Sequence, residues 1–264
     1  MKVFISADME GTAGIAHWHE ATATHADYPQ FQALMTAEVL AACDGARAAG
    51  AQEVVIKDAH DTARNILAGQ LPDYARIIRG WSGHPDSMMF GLDDSFDAVI
   101  YTGYHGKAGA NGNPLAHTSA LVISRLIING EVASELTYNA MTAKRYGVKS
   151  AFLSGDGDIC REAAAMLPGI RTNPTLEGFG AAAISISPAA SCQAIRDGVE
   201  AALREGSGGI TAVQGPYEVI IEFVNPTDAY RLSWYPNARL HGPRAIAFET
   251  TDSFEVSRAL RFLL

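Results

Sequence analysis

The chain opens Met1-Lys2-Val3-Phe4-Ile5-Ser6-Ala7 and runs directly into Asp8-Met9-Glu10, followed by Gly11-Thr12-Ala13-Gly14. A short apolar run that ends so abruptly in two acids reads as a central strand with a polar site at its C-terminal end. Side chains alternate along a strand, so Asp8 and Glu10 fall on one side, roughly 7 Å apart along the backbone. The glycines that follow let the chain leave the sheet sharply. Two acids in such a place must be paired, solvated or bound to metal.

The same pattern recurs. Glu53-Val54-Val55-Ile56-Lys57-Asp58-Ala59-His60-Asp61 is a β-branched run ending in polar groups, and Asp97-Ala98-Val99-Ile100-Tyr101-Thr102-Gly103-Tyr104-His105-Gly106 is a third. Between the first two, Phe31, Leu34, Met35, Val39, Ala42 and Ala46 recur at helical spacing, and Gly50 stands where a helix would stop. Strand–helix–strand alternation predicts an α/β fold, with a mostly parallel sheet flanked by helices. Ile77-Ile78 reads as a short strand, and Ser150 to Leu153 as another, ending in Gly155-Asp156-Gly157-Asp158. Leu121 to Ile128 and Glu131 to Ala133 flank Asn129-Gly130, the signature of a type I′ hairpin. Glu135 heads a helical stretch that reaches Tyr146.

Beyond about residue 175 the character changes. Ser187-Pro188 starts a helix carrying Ile195, Val199 and Leu203, and Glu218 to Val224 and Ala245 to Glu249 read as strands. Asp252-Ser253-Phe254-Glu255 resembles a capping box for a last helix with Val256, Ala259, Leu260 and Leu263 inward. These features predict a catalytic α/β domain over 1–175 and a smaller C-terminal α+β domain over 176–264.

In open α/β sheets ligands bind beyond the carboxyl ends of the strands. If the three runs are neighbours, Asp8, Glu10, His60 and His105 converge there, and Glu135 arrives from a fourth element. Two imidazoles and three carboxylates suit zinc, or manganese or cobalt. Five such ligands suit two metals sharing a carboxylate, and Asp8 is placed to bridge. Taken singly, each residue has a plainer reading: Asp8 and Glu10 as caps of the next loop, the histidines as loop residues, Glu135 as a helix N-terminal acid. Repetition at strand ends is what favours the metal site. His117 lies in a Gly/Ala/Asn-rich loop and reads equally as a hydrogen-bonding loop residue or as a general acid/base or oxyanion group. His17 and His19 around Trp18 read as surface or lid residues. Asp156 and Asp158 read as a solvated turn and are the second source of ligands. Cys160 reads as a buried structural thiol.

Composition narrows the function classes. A formal net charge of −9 over 264 residues, with no basic cluster, argues against nucleic-acid and anionic-membrane partners. Cys43, Cys160 and Cys192 are widely spaced without a CxxC pair, which suits a reducing compartment and offers no thiolate zinc site. With no signal-peptide pattern and no membrane-length apolar run, a cytoplasmic location is expected.

At these residues the sequence resembles the D-aminopeptidase family of the dipeptide-transport operon type, the M55 class of metallopeptidases. The matching pieces are Ser6-Ala7-Asp8-Met9-Glu10-Gly11, Lys57-Asp58-Ala59-His60, Gly103-Tyr104-His105, Ala116-His117-Thr118-Ser119 and Ser134-Glu135-Leu136 with Asn139-Ala140. The resemblance implies a two-zinc aminopeptidase of short peptides, with Asp8, Glu10, His60, His105 and Glu135 as ligands and His117 as the catalytic histidine. It also implies N-terminal D-residues as substrates and a ring-shaped homodecamer. One departure stands out. Upstream of Ser187-Pro188, where relatives tend to carry a lysine and then an arginine, this chain has Thr175 and Gly180, which bears on the D-peptide preference more than on hydrolysis. A two-metal phosphoesterase would use the same ligands but lacks a phosphate cradle here. A non-catalytic peptide-binding protein of this fold would have no need of all six competent residues. Asp58 and Asp61 are candidates for orienting the metal-binding histidines.

Overall fold

The structure is a computed structural model that describes residues 1–263. In chain order its elements are β1 (Lys2–Ala7), α1 (Trp18–Ala21), α2 (Tyr28–Ala48), β2 (Glu53–Asp58), β3 (Ala75–Ile78), β4 (Ala98–Tyr104), β5 (Ile123–Ile128), β6 (Glu131–Val132), α3 (Glu135–Arg145), β7 (Lys149–Asp156) and α4 (Gly157–Met166). They continue with β8 (Arg171–Phe179), β9 (Ala182–Ser185), α5 (Pro188–Arg204), β10 (Tyr217–Phe223), α6 (Pro226–Leu232), β11 (Arg239–Gly242), β12 (Ala245–Thr250) and α7 (Ser253–Leu263).

Seven strands form one sheet in the order β3-β2-β1-β4-β7-β8-β9. Every neighbouring pair is parallel except the edge pair β8–β9. β1 sits between β2 and β4, with Ala7 opposite both Asp58 and Thr102, so the three polar strand ends finish level. From β1 the chain winds outward first through β2 and β3 and then through β4 and β7. That reversal is the crevice where open sheets bind ligands.

Alternation along β1 builds two cores. Val3, Ile5 and Ala7 pack with Val54, Ile56 and Ile100 beneath α2 and α5, whereas Phe4 joins Val99, Tyr101 and Leu153 on the opposite face. The second core is shared with α3, α7 and a five-stranded sheet, β11-β12-β10-β5-β6, whose strand pairs are all antiparallel. Cutting a residue such as Ile5 to alanine would cost about 2–5 kcal/mol.

Most expected elements are present. Gly50 ends α2 at φ +97°, and Asn129 and Gly130 both take positive φ as a type I′ turn requires. Ser187 caps α5 ahead of Pro188, and Val256, Ala259, Leu260 and Leu263 all point inward from α7.

The expected division at 175/176 does not follow the sheets. The hairpin β5–β6 leaves the first 175 residues to join the second sheet, while β8, β9 and α5 stay with the first. The β8–β9 hairpin has no clear signal in the sequence: its alternation is weak because it lies at a sheet edge, where Phe179 and Ile184 are exposed. Among the described residues, no helix is long and apolar enough to cross a membrane.

Candidate metal centre

Asp8 and Glu10 follow β1, His60 lies two residues past β2, His105 directly follows β4, and Glu135 begins α3. All five are at least 95% buried. Close backbone approach locks their positions. Gly11 N–H donates to Gly103 O at 2.8 Å, and Asp8 N–H to Thr102 O at 2.8 Å. A Cβ on Gly11 would lie 1.8 Å from Tyr104 O. One on Gly103, which has φ +68°, would lie 2.1 Å from Asp8 O.

The donor atoms form two groups that share Asp8. His60 Nδ1 lies 3.3 Å from Asp8 Oδ1 and 3.0 Å from Glu10 Oε2. His105 Nε2 lies 3.5 Å from Asp8 Oδ2 and 3.7 Å from Glu135 Oε2. Asp8 therefore turns one oxygen toward each group, as a bridging carboxylate would. Zinc ligands at about 2.1 Å in a tetrahedron stand roughly 3.4 Å apart, which is the spacing here. Glu10 Oε2 and His105 Nε2 are buried and make no hydrogen bond. Both are aimed into the cluster, where a cation would satisfy them. In each trio, Asp8-Glu10-His60 and Asp8-His105-Glu135, the donor atoms fall within 4.8 Å of one another, as they do in a third, Glu10-His105-His117.

The electrostatics point the same way. Burial opposes charge on His60 and His105, yet the facing carboxylates outweigh it and hold both imidazoles well above their usual range. Burial likewise opposes ionisation of Glu10, but His60 overcomes it and draws the carboxyl well down. Glu135 is pushed up to about 8 by burial, with Asp8 and Glu10 adding to the rise against His105. Three buried carboxylates thus face two imidazoles and attract positive charge. Protons and divalent cations compete for such a place.

Each histidine is aimed by a backbone carbonyl. His60 Nε2 meets Ala21 O at 2.6 Å, and His105 Nδ1 meets Gly106 O at 3.0 Å, leaving the other ring nitrogen to the cluster. Asp58 and Asp61 do not orient these rings. The Asp58 carboxylate accepts from Asn65 N, Asn65 Nδ2 and Ile66 N, pinning the loop after His60. The Asp61 carbonyl accepts from Trp81 Nε1. Carbonyls of Ala21 and Gly106 carry no side-chain signal, so sequence reasoning had nothing to find.

His117 stacks on His105, with ring centroids 4.3 Å apart and planes 10° apart, and Trp18 covers it edge-on at 5.2 Å. His117 Nδ1 faces Leu115 O at 3.0 Å, while Nε2 lies 3.9 Å from Glu10 Oε1 and 3.8 Å from Glu135 Oε1. Burial, helped by His105, lowers its pKa. The remaining motif residues brace the site. Ser6 Oγ and Asn139 Nδ2 both bond Tyr104 OH, at 2.8 and 2.9 Å, tying β1, β4 and α3 together. Ser119 N–H donates to Glu135 Oε1 at 2.7 Å.

The alternative ligand sources are employed elsewhere. Asp156 is a buried cap of α4 that also accepts from Gly106 N, and Asp158 accepts from Gly112 N. They hold the loop after His105 instead of forming a solvated turn. His17 caps the short helix α1 by accepting from His19 N. Thr175 is buried with its hydroxyl 2.6 Å from Gly11 O and 2.9 Å from Gly155 O, and Gly180 makes the β8–β9 turn at φ +63°. Cys160 is buried, as expected of a structural thiol.

Two recesses meet at the cluster. A cavity of about 300 Å³ is lined by Asp8, Glu10, His60, His117 and Glu135 and also by Trp81, Met88, Tyr138, Leu260 and Arg261. A smaller one, about 260 Å³, shares Glu10, His60 and His117 and runs beside Trp18 and Leu121.

Comparison with known proteins gives the family. The M55 peptidase family, described as D-aminopeptidase, matches residues 1–262. A D-aminopeptidase of Bacillus subtilis strain 168 is 26% identical, the alignment covering 98% of this chain and 95% of the relative. The solved structure of the Zn-dependent D-aminopeptidase DppA from Bacillus subtilis, a self-compartmentalizing protease, superposes with a TM-score of 0.93 at 25% identity, covering 100% of this chain and 96% of that one. This chain therefore belongs to the M55 peptidase family of D-aminopeptidases.

Proposed function

We propose that the chain is a zinc-dependent aminopeptidase that hydrolyses short peptides. Asp8, Glu10 and His60 would hold one ion, Asp8, His105 and Glu135 a second, and His117 would act in catalysis. The observation that carries this reading is the pair of donor groups joined through Asp8, with Glu10 Oε2 and His105 Nε2 buried and without a hydrogen bond. Manganese or cobalt would suit the same donors.

The chemistry that zinc supplies in such a centre is activation of water near neutral pH and polarisation of the scissile carbonyl. The protein's own groups do the rest. Leu115 O fixes the proton of neutral His117 on Nδ1, so Nε2 presents a lone pair to the cluster. Nε2 can take a proton as attack occurs and return it to the leaving amine. Trp18 and His105 hold the ring between them, so it needs little reorganisation during the step. A free N-terminal amine, the feature that separates an aminopeptidase from an endopeptidase, would be held by a metal or by a nearby acid such as Asp61, which lines both recesses.

D-residues at the substrate N-terminus and assembly into a ring-shaped decamer are part of the same proposal. The solved relative is a self-compartmentalizing protease. Exposed Phe179, Ile184, Tyr230 and Trp234 offer apolar surface for subunit contacts.

The test combines elemental analysis with a panel of D- and L-dipeptides and their N-acetylated controls. About two zinc ions per chain, and cleavage that requires the free amine, support the reading. Absence of bound metal together with no turnover after zinc is added overturns it. Light scattering should give a mass near ten times the 28.0 kDa of one chain, and a stable monomer would remove the ring.

A further inference from the structure

The two recesses differ in charge. Along the smaller one, past the residues they share, stand Trp18, Ala21, Thr22, Ala120 and Leu121, none of them cationic. The larger one ends at α7, where Arg261 is the sole lysine or arginine in its wall among the described residues. Arg261 is exposed and makes no ion pair among the described residues, unlike Arg258 one turn earlier, which pairs with Glu255. Asp86, also in that wall, is already engaged by Arg145 and by Tyr146 OH at 2.7 Å. The metal-binding cluster and a guanidinium with no ion pair among the described residues therefore line one cavity, whose wall also includes Trp81, Met88 and Leu260.

A short peptide offers groups to match: a scissile carbonyl for the cluster, a C-terminal carboxylate for the guanidinium and apolar side chains for the wall between. We infer that Arg261 binds the C-terminal carboxylate of the substrate. The leaving residue then occupies the cavity under α7, and the N-terminal side chain enters the recess beside Trp18. This rests on the aminopeptidase reading and adds direction and length to it. A guanidinium suits a carboxylate through paired N–H donors. At about 300 Å³ the cavity is at the small end of ligand pockets, so it admits only a short leaving group before the carboxylate must pass Arg261. Free-acid dipeptides and similarly short peptides are the matching substrates.

Dipeptides offered as the free acid and as the C-terminal amide test this. The wild-type enzyme should prefer the acid in kcat/KM by roughly tenfold or more, as expected for a charge-assisted hydrogen bond, with the difference in KM. In Arg261→Gln the acid-to-amide ratio should fall to near one, and in Arg261→Glu it should invert. Arg261→Lys should keep part of the preference. A wild-type ratio near one, or a ratio that the Gln and Glu variants leave unchanged, overturns the assignment while the aminopeptidase reading stands. Failure of the wild-type protein to cleave either form, with zinc bound, overturns both.

Discussion

The site depends on two chain segments that touch with no room for a methyl group, and Gly11→Ala tests this directly. The new Cβ would lie 1.8 Å from Tyr104 O and 2.7 Å from Tyr104 C, whereas real Cβ contacts essentially never fall below 3.0 Å. The ends of β1 and β4 must therefore part by at least 1.2 Å along that line, since backbone cannot rotate away as a long side chain can. Glu10 precedes the substituted residue and His105 follows Tyr104, so the shift is delivered to both donor groups. Overpacking of this kind costs about 1–3 kcal/mol, and a displacement near 1 Å at reacting groups costs on the order of 10²-fold in turnover. Gly69→Ala is the control: it has nothing within 4 Å and no positive φ. Thermal melts, zinc content and dipeptide turnover on both variants provide the assay. Gly11→Ala should lose turnover by about two orders of magnitude and bind zinc more weakly, with Gly69→Ala indistinguishable from wild type. A Gly11→Ala enzyme with normal turnover and zinc content would refute the argument that this contact sets the ligand geometry.

Three further outcomes are expected. His117→Ala should keep its zinc, because the donor sets Asp8-Glu10-His60 and Asp8-His105-Glu135 are complete without it, while turnover falls about 10²–10⁴-fold; near-normal turnover would remove it from catalysis. Asp58→Asn replaces an acceptor of three N–H bonds and should cost about 1–3 kcal/mol in urea unfolding; unchanged stability would contradict its pinning of the 65–66 loop. Glu38 is buried between α2 and α5, where desolvation lifts its pKa from 4.5 to about 7 against hydrogen bonds from Ser191 and Ala13 N. The folded state therefore holds this proton more tightly. The resulting stability is complete below about pH 4.5 and is lost as pH rises through 7, on the order of 3 kcal/mol in all. Glu38→Gln keeps an oxygen for both donors and should gain on wild type at pH 8 relative to pH 5, as read from paired melts; an equal difference at both pH values would refute the assignment.

How much of this was legible beforehand varied with the kind of interaction. Strands β1, β2 and β4 announce themselves because both faces are buried, so the apolar run is continuous and stops only where the ligands begin. Asn129-Gly130 and Ser187-Pro188 are equally readable, since the local backbone itself demands those residue types. Partnership between distant elements was not readable. The β5–β6 hairpin has the same local pattern whichever sheet it joins, and only its register with β10, residues 219–223, decides the matter. The β8–β9 edge was invisible for a related reason: with exposed Phe179 and Ile184 its sequence lacks the polar–apolar contrast that marks a strand.

The same distinction explains what the candidate site did and did not reveal. Asp8, Glu10, His60 and His105 stood out because each is a costly residue to bury at the end of an apolar run. Glu135 and His117 come from a helix start and a loop, where acids and histidines are commonplace, so each is a weak signal until the other ligands and the motif around it are counted. The groups that aim the site had no such signature. Ala21 O and Gly106 O set the rings of His60 and His105, yet any residue has a carbonyl. Asp58 has a carboxylate near a ligand and is a candidate to serve it, but its three N–H donors lie in the next loop, on Asn65 and Ile66. A fixed metal geometry requires that the backbone first be held, and a short, buried acid with two free oxygens is suited to holding backbone N–H groups. Acids in these motifs thus divide by what they face: those turned toward other carboxylates can gather a cation, and those turned toward amides fix the loops that carry them.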